Sequence, residues 1–281
     1  MLASLCPDWR DVRWGEFLDG GYSNFNFRLR YQGRECVLRV PPPQRTIAAD
    51  ASVLPEALLM ATVAACNAGP NLLSSPAILA YNATQGAQVS EWAPAPLLAE
   101  SAPVAPERLG HMLATFHARL APLRDLLVEH DRSDAGLARL LERAGVAPEQ
   151  VQGPAAADRV PAHGDLNPWN LLYDGVAWTV LDWESVALLE PAFDMATLLE
   201  GVRGLGWPWP SDGDARALAA YAEHGGDAIS PRAFAAALER FEWREWAWAV
   251  AQLRAGNRRD EIEAQRATYG RRLRARGHTL P

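Results

Sequence analysis

The sequence predicts an α+β fold, with a small β-rich N-terminal lobe (residues 1–92) and a larger, mainly helical C-terminal lobe (residues 93–281). Three observations carry this. The first ninety residues read as short strands around one helix. After Pro94 the apolar spacing changes from that of strands to that of helices. No repeat, low-complexity tract or flexible linker interrupts the chain, and 281 residues can bury a substantial core.

The elements follow in order. Phe25, Phe27 and Leu29 alternate with Asn24, Asn26, Arg28 and Arg30, the period-two pattern of a strand. Gln32-Gly33 is a turn, and Cys36 to Val40 is a second strand stopped by Pro41-Pro42-Pro43. A helix is predicted from about Ala51 to Asn67, ending near Gly69-Pro70. Ala77 to Tyr81 and Gln88 to Trp92 form a hairpin across a turn-rich segment. Leu109, Met112, Leu113, Phe116 and Leu120 have helical spacing, and His117 on that stretch reads as a core histidine. Another helix lies near Gly136 to Ala144, followed by a Pro/Gly/Ala loop from Ala147 to Ala157. Asn170 to Tyr173, Asp174-Gly175 and Trp178 to Leu181 make a second hairpin. From about Pro191 onward the chain is helical, broken by a loop that carries Trp207 and Trp209.

The chemistry concentrates in His163-Gly164-Asp165-Leu166-Asn167-Pro168-Trp169-Asn170 and in Leu181-Asp182-Trp183-Glu184. Asp165 can accept a proton from a hydroxyl. Asn170 and Asp182 supply hard oxygens of the kind Mg²⁺ prefers, and the hairpin between them brings both to one end. Kinase-type phosphoryl transfer uses such parts, because the protein's task there is to position groups and neutralise charge.

Composition excludes several alternatives. All 27 basic residues are arginine, so a P-loop, which needs lysine, is ruled out and any phosphate-binding cation must be Arg. The net charge of −7 argues against nucleic acid or an anionic membrane as the main partner. Arg271, Arg272, Arg274 and Arg276 read as a solvated helix end that suits the helix dipole. No apolar run is long enough to span a membrane. Leu2 to Cys6 looks like a lipoprotein cleavage box but lacks the basic and apolar segments of a signal peptide. Cys6, Cys36 and Cys66 form no metal pattern and leave an odd thiol, which fits a reducing, cytoplasmic location.

Together these residues resemble the choline/ethanolamine kinase and aminoglycoside phosphotransferase superfamily, which has a protein-kinase-like fold. The resemblance spans nearly the whole chain. Gly20-Gly21-Tyr22-Ser23-Asn24 looks like the loop that covers the nucleotide phosphates, which implies roles for Gly20, Gly21, Ser23 and Asn24. Arg39 stands where many relatives carry a phosphate-pairing lysine, and Glu56 lies in the helix that supplies its carboxylate partner. Val89-Ser90-Glu91-Trp92, with Glu91, matches the hinge that meets adenine. The resemblance makes Asp165 the catalytic base and Asn170 and Asp182 the Mg²⁺ ligands. It also implies that His163 and Asp194 brace the catalytic loop. ATP and Mg²⁺ are the implied cofactors and a small-molecule acceptor the implied partner; the oligomeric state is not implied.

Within the superfamily, Asp182-Trp183-Glu184 and the overall length lean toward the choline kinase-like and thiamine kinase-like branch. The expected acceptor is a cationic alcohol: choline, ethanolamine or thiamine. Glu184 follows the metal segment directly. On the late helix Trp243 and Trp246 share a face, Glu242 and Glu245 lie beside them, and Trp248 points elsewhere. An indole beside a carboxylate receives an organic cation well. The same spacing also fits aromatic helix packing, so both readings stand. Two features depart from the family pattern. Trp169 adds bulk beside the catalytic loop. Glu245 and Trp248 fall where choline kinases carry a Trp pair. A sugar or aminoglycoside kinase is the rival within the fold, and a silent nucleotide-binding pseudokinase the rival outside enzymology.

Overall fold

Strand-forming alternation in the N-terminal third builds an antiparallel sheet. In the computed structural model, residues 5, 12–18, 24–41, 54–70, 72–129, 133–151 and 159–281 are described. The expected phosphate-loop residues Gly20, Gly21 and Ser23 lie outside these, as does Cys6. The described chain divides into two units. The first comprises Met1–Ser101 with Trp169–Glu184, the second Ala102–Pro168 with Ser185–Pro281. The segment 169–184 thus groups with the N-terminal residues.

In the first unit β1 (Arg13–Leu18), β2 (Phe25–Tyr31), β3 (Arg34–Val40), β5 (Ile78–Asn82) and β6 (Ala87–Glu91) form one sheet in the order β1-β2-β3-β6-β5. Register pairs Phe27 with Leu38 and Leu38 with Val89. One face buries Leu29, Tyr31, Cys36, Leu38, Ala87 and Val89 in a common cluster. On β2 and β3, Arg28 and Arg30 both bond Glu35, at 3.1 and 2.9 Å. Helix α1 (Glu56–Cys66) buries Leu58, Leu59, Val63 and Cys66. It stops at Asn67, whose side chain donates to the Ser75 carbonyl at 3.1 Å and accepts from the Ser75 amide at 2.7 Å.

A second, three-stranded sheet runs β4-β9-β8. Here β4 (Leu73–Ser74) lies parallel to β9 (Trp178–Val180), and β8 (Leu171–Tyr173) pairs antiparallel with β9. The predicted turn forms: Asp174 Oδ1 accepts from the amides of Val176 and Ala177 at 2.8 and 2.7 Å. At the open end the Leu181 amide donates to the Asn170 carbonyl at 2.9 Å.

The second unit is helical apart from one antiparallel pair, β7 (Val160–Ala162) with β10 (Ala187–Leu189). Its helices are α2 (Pro106–Leu120), α3 (Arg124–Glu129), α4 (Ser133–Ala144), α5 (Pro191–Gly204), α6 (Gly213–Glu223), α7 (Pro231–Arg254) and α8 (Asp260–Ala275). Helix α7 opens on a Ser230 hydroxyl that accepts the Ala233 amide, with Pro231 in the first turn. It packs against α4, α5 and α8. Among the described residues no helix is long and apolar enough to cross a membrane.

Candidate active site

The sequence candidates fall into two groups, one in each unit. In the first unit Arg39, on β3, is the centre. Nη1 lies 2.6 Å from Asp182 Oδ1, and Nη2 donates to Glu184 Oε2 at 2.7 Å. Asn24 Nδ2 donates to the same Glu184 oxygen at 3.3 Å. Arg39 is 9% exposed. Burial alone would lower its pKa, but the charges of Asp182 and Glu184 outweigh burial and raise it. Asp182 has φ +61°, a backbone conformation rare outside glycine. Such strain concentrates at functional positions. The Trp183 indole N–H anchors the next residue on Ser75 Oγ at 2.8 Å.

Two expectations in this unit need correction or placing. Glu56 does not hold Arg39. It sits exposed in the first turn of α1, where a carboxylate suits the helix dipole, and the guanidinium is held by Asp182 and Glu184. Glu91 ends β6 and pairs with Arg34 at 3.1 Å, while its amide donates to the Ala77 carbonyl at 2.9 Å.

In the second unit the loop bearing Asp165 is fixed from beneath. Asp194, fully buried on α5, accepts the His163 amide on Oδ2 at 2.7 Å and the Gly164 amide on Oδ1 at 2.8 Å. His117 Nε2 lies 3.2 Å from Asp194 Oδ2, and its Nδ1 lies 2.9 Å from the Tyr221 hydroxyl. An ionised carboxylate only accepts, so Nε2 donates to Asp194. Burial pushes the Asp194 carboxyl up. The His117 hydrogen bond and charge, with His163, outweigh burial and hold it below the usual carboxylate range. Gly164 is obligatory: its φ is +79°, and a Cβ would stand 2.3 Å from the Ser185 carbonyl oxygen. Gly201 on α5 likewise admits Pro168 of the loop, whose Cδ would be 2.3 Å from an added Cβ. The Asp165 amide donates to His163 Nδ1 at 3.3 Å, and the Asn167 amide closes the turn on the Asp165 carbonyl at 2.9 Å.

Sequence reasoning missed Arg244 altogether. Its Nη2 lies 3.1 Å from Asp165 Oδ1 and 2.9 Å from Glu245 Oε1, and its Nη1 donates to the Gly164 carbonyl. No spacing rule links positions 79 residues apart. His117, read only as a core histidine, proves to be a member of the loop brace.

The aromatic expectation on α7 is also corrected. Trp243 and Trp246 are 0% and 4% exposed and pack edge to face, 5.8 Å apart, in a core with Leu141, Val146 and Leu273. Their faces are occupied by protein, so neither presents an indole to an acceptor. Trp248 is half-buried. Glu245 is bonded by Arg244 and by Gln265 Nε2 at 2.8 Å, and Glu242 is buried against Arg276 at 2.7 Å.

Comparison with known proteins sets these groups in context. The model of the phosphotransferase enzyme family (APH) matches residues 14–247. No curated protein matches the chain in sequence. Among solved structures, a choline/ethanolamine kinase family protein from Mesorhizobium loti is 18% identical with a TM-score of 0.58, covering 94% of this chain and 89% of its own. An aminoglycoside-3'-phosphotransferase of type VIII is 22% identical with a TM-score of 0.56, covering 82% and 94%. An amicoumacin kinase, solved with AMP-PNP, Ca²⁺ and Ami, is 13% identical with a TM-score of 0.60, covering 99% and 92%. At these identities the likeness establishes the fold, which is protein-kinase-like.

Proposed function

Because the chain belongs to the phosphotransferase enzyme family, we propose that it moves the terminal phosphoryl group of ATP, with Mg²⁺, onto a hydroxyl of a small molecule. The observation that carries this reading is the group Arg39–Asp182–Glu184, at 2.6 and 2.7 Å. It sets a guanidinium fork, suited to phosphate, beside a carboxylate suited to a hard cation. Asn170 and Asp182 would hold the metal. Their carboxamide and carboxylate oxygens fit Mg²⁺, which keeps several waters and needs few protein ligands. The bound ion supplies charge neutralisation across the phosphate oxygens. Arg39 orients those phosphates. Asp165 receives the proton of the acceptor hydroxyl as its oxygen bonds phosphorus and the bond to the departing ADP breaks.

The acceptor we propose is a cationic alcohol such as choline, ethanolamine or thiamine. With Trp243 and Trp246 withdrawn into the core, support for this comes from charge. Asp165 and Glu245 bring two carboxylates to one Arg244, an acidic group. A cation gains from it and a neutral isostere does not. The test is ADP release across amino alcohols, thiamine, aminoglycosides and neutral sugars. The best cationic alcohol should beat its neutral isostere by about tenfold in KM, since about 1.4 kcal/mol is one decade. Faster turnover of neutral sugars would replace the cationic acceptor with a sugar. Nucleotide binding without turnover on any acceptor would make the chain a silent binder.

A further inference from the structure

We propose that Arg244 is a positioning residue for this transfer, holding the Asp165 carboxylate and the peptide before it in one fixed relation. The proposal rests on the reading of Asp165 as the proton acceptor.

The geometry is specific to a guanidinium. Nη1 donates to the Gly164 carbonyl, and Nη2 reaches Asp165 Oδ1 at 3.1 Å, so consecutive residues are tied through one rigid plane. Nε donates to Glu245 Oε1 at 2.9 Å. Glu245 is itself fixed by Gln265, so the plane of the fork is held from behind. The Phe193 and Phe241 rings lie 5.1 and 5.3 Å from the guanidinium carbon, within cation–π range. The Arg244 side chain is 19% exposed, against 38% for Asp165. The carboxylate therefore faces solvent more than the group that steers it.

This contact does a different job from the Asp194 brace. Asp194 already takes the Gly164 amide, and Arg244 takes the carbonyl of the same residue, so both polar groups of that residue are gripped. Of these two contacts, it is that of Arg244 that extends to the Asp165 side chain. Burial would lower the Arg244 pKa, but Glu245 and Asp165 more than reverse this, so the cation is permanent. Lysine offers a compact charge without a fork and cannot reproduce two fixed directions at once.

The test compares Arg244→Gln and Arg244→Lys with the parent protein. Steady-state kinetics would use the best acceptor from the panel, and amide exchange would be followed over residues 163–167. In the Gln variant kcat should fall by about 10- to 100-fold, the scale of a misplaced reacting group. KM for ATP should stay within about twofold. The Lys variant should recover part of kcat, and exchange at Gly164 and Asp165 should quicken in both variants. Unchanged kcat in Arg244→Gln would overturn the proposal. So would a raised acceptor KM at constant kcat, which marks an acceptor-binding residue instead. A Lys variant as active as the parent would show that charge alone suffices and would also overturn it. Exchange needs no turnover. If the parent protein phosphorylates nothing, quickened exchange would keep Arg244 as the holder of the loop while the kinase reading fails, and unchanged exchange would remove both.

Discussion

Arg39 and Arg244 each grip two carboxylates, yet they are built differently. Arg39 stands on a strand, and its partners Asp182 and Glu184 lie some 140 residues further along. Arg244 stands on a helix beside its own partner Glu245, over two aromatic rings, with a main-chain carbonyl as an extra anchor. The first arrangement joins distant parts of the chain through charged side chains and leaves Asp182 with a competitor that any metal must share it with. The second locks a loop. A residue that must exchange partners during a reaction is well served by the first design, and one that must stay still by the second.

The largest effects should separate the two groups. Asp182→Ala should lower turnover by about 10³-fold or more, the upper range for losing one preorganised electrostatic contact. Asp165→Asn should lower it by at least about 10²-fold, the scale of general-base loss, with ATP binding retained. A Mg²⁺ titration distinguishes them: it should be altered in Asp182→Ala and unchanged in Asp165→Asn. Identical titrations in the parent and Asp182→Ala would break the division of roles.

The locked side should also show in stability. Asp194→Ala should cost about 3 kcal/mol in denaturant unfolding, because it strands two buried amides and His117. The folded Asp194 pKa is depressed, so its contribution is complete above the unfolded value near 4 and is lost as pH falls through the folded value. The gap between the parent and Asp194→Asn should therefore narrow in acid below about pH 4. A gap that widens there would reverse the sign of the argument.

The smallest effect sharpens the exchangeable side. Glu184→Gln should raise KM for ATP by about threefold to tenfold, the 1.4 kcal/mol scale of one charged contact. It should be non-additive with Arg39→Ala, since both serve one contact. Glu56→Ala should leave KM unchanged. Equal effects from Glu56 and Glu184 would restore the pairing the sequence suggested.

Where the chain specified structure locally, the sequence was legible. The alternation in Phe25–Leu29, the Asp174-Gly175 turn and the helical stripe Leu109–Leu120 all formed as read. The loop His163–Asn170 and its spacing to Asp182 singled out the candidate residues, and Asp194 accepts the amides of His163 and Gly164. Arg244 could not be read, because its contact with Asp165 depends on how α7 packs, and no periodicity encodes that. Glu56 failed for a related reason. The helix was located, but which carboxylate reaches a buried guanidinium is decided by tertiary geometry. The tryptophans of α7 show the remaining limit. Spacing put Trp243 and Trp246 on one face without saying whether that face meets solvent or the helices α4 and α8.

The grouping of residues 169–184 with the N-terminal strands has a consequence for synthesis. Strand β4 pairs with β9, and Arg39 finds its carboxylates at Asp182 and Glu184, so the first unit is incomplete until its second segment has been made. Domains commonly fold in order as they leave the ribosome. Here the segment Ala102–Pro168 emerges before the first unit can close, and a nascent chain halted at Ser101 carries a guanidinium with neither of these counter-charges. Completion of the N-terminal unit is thus timed by the hairpin and not by the sheet that precedes it.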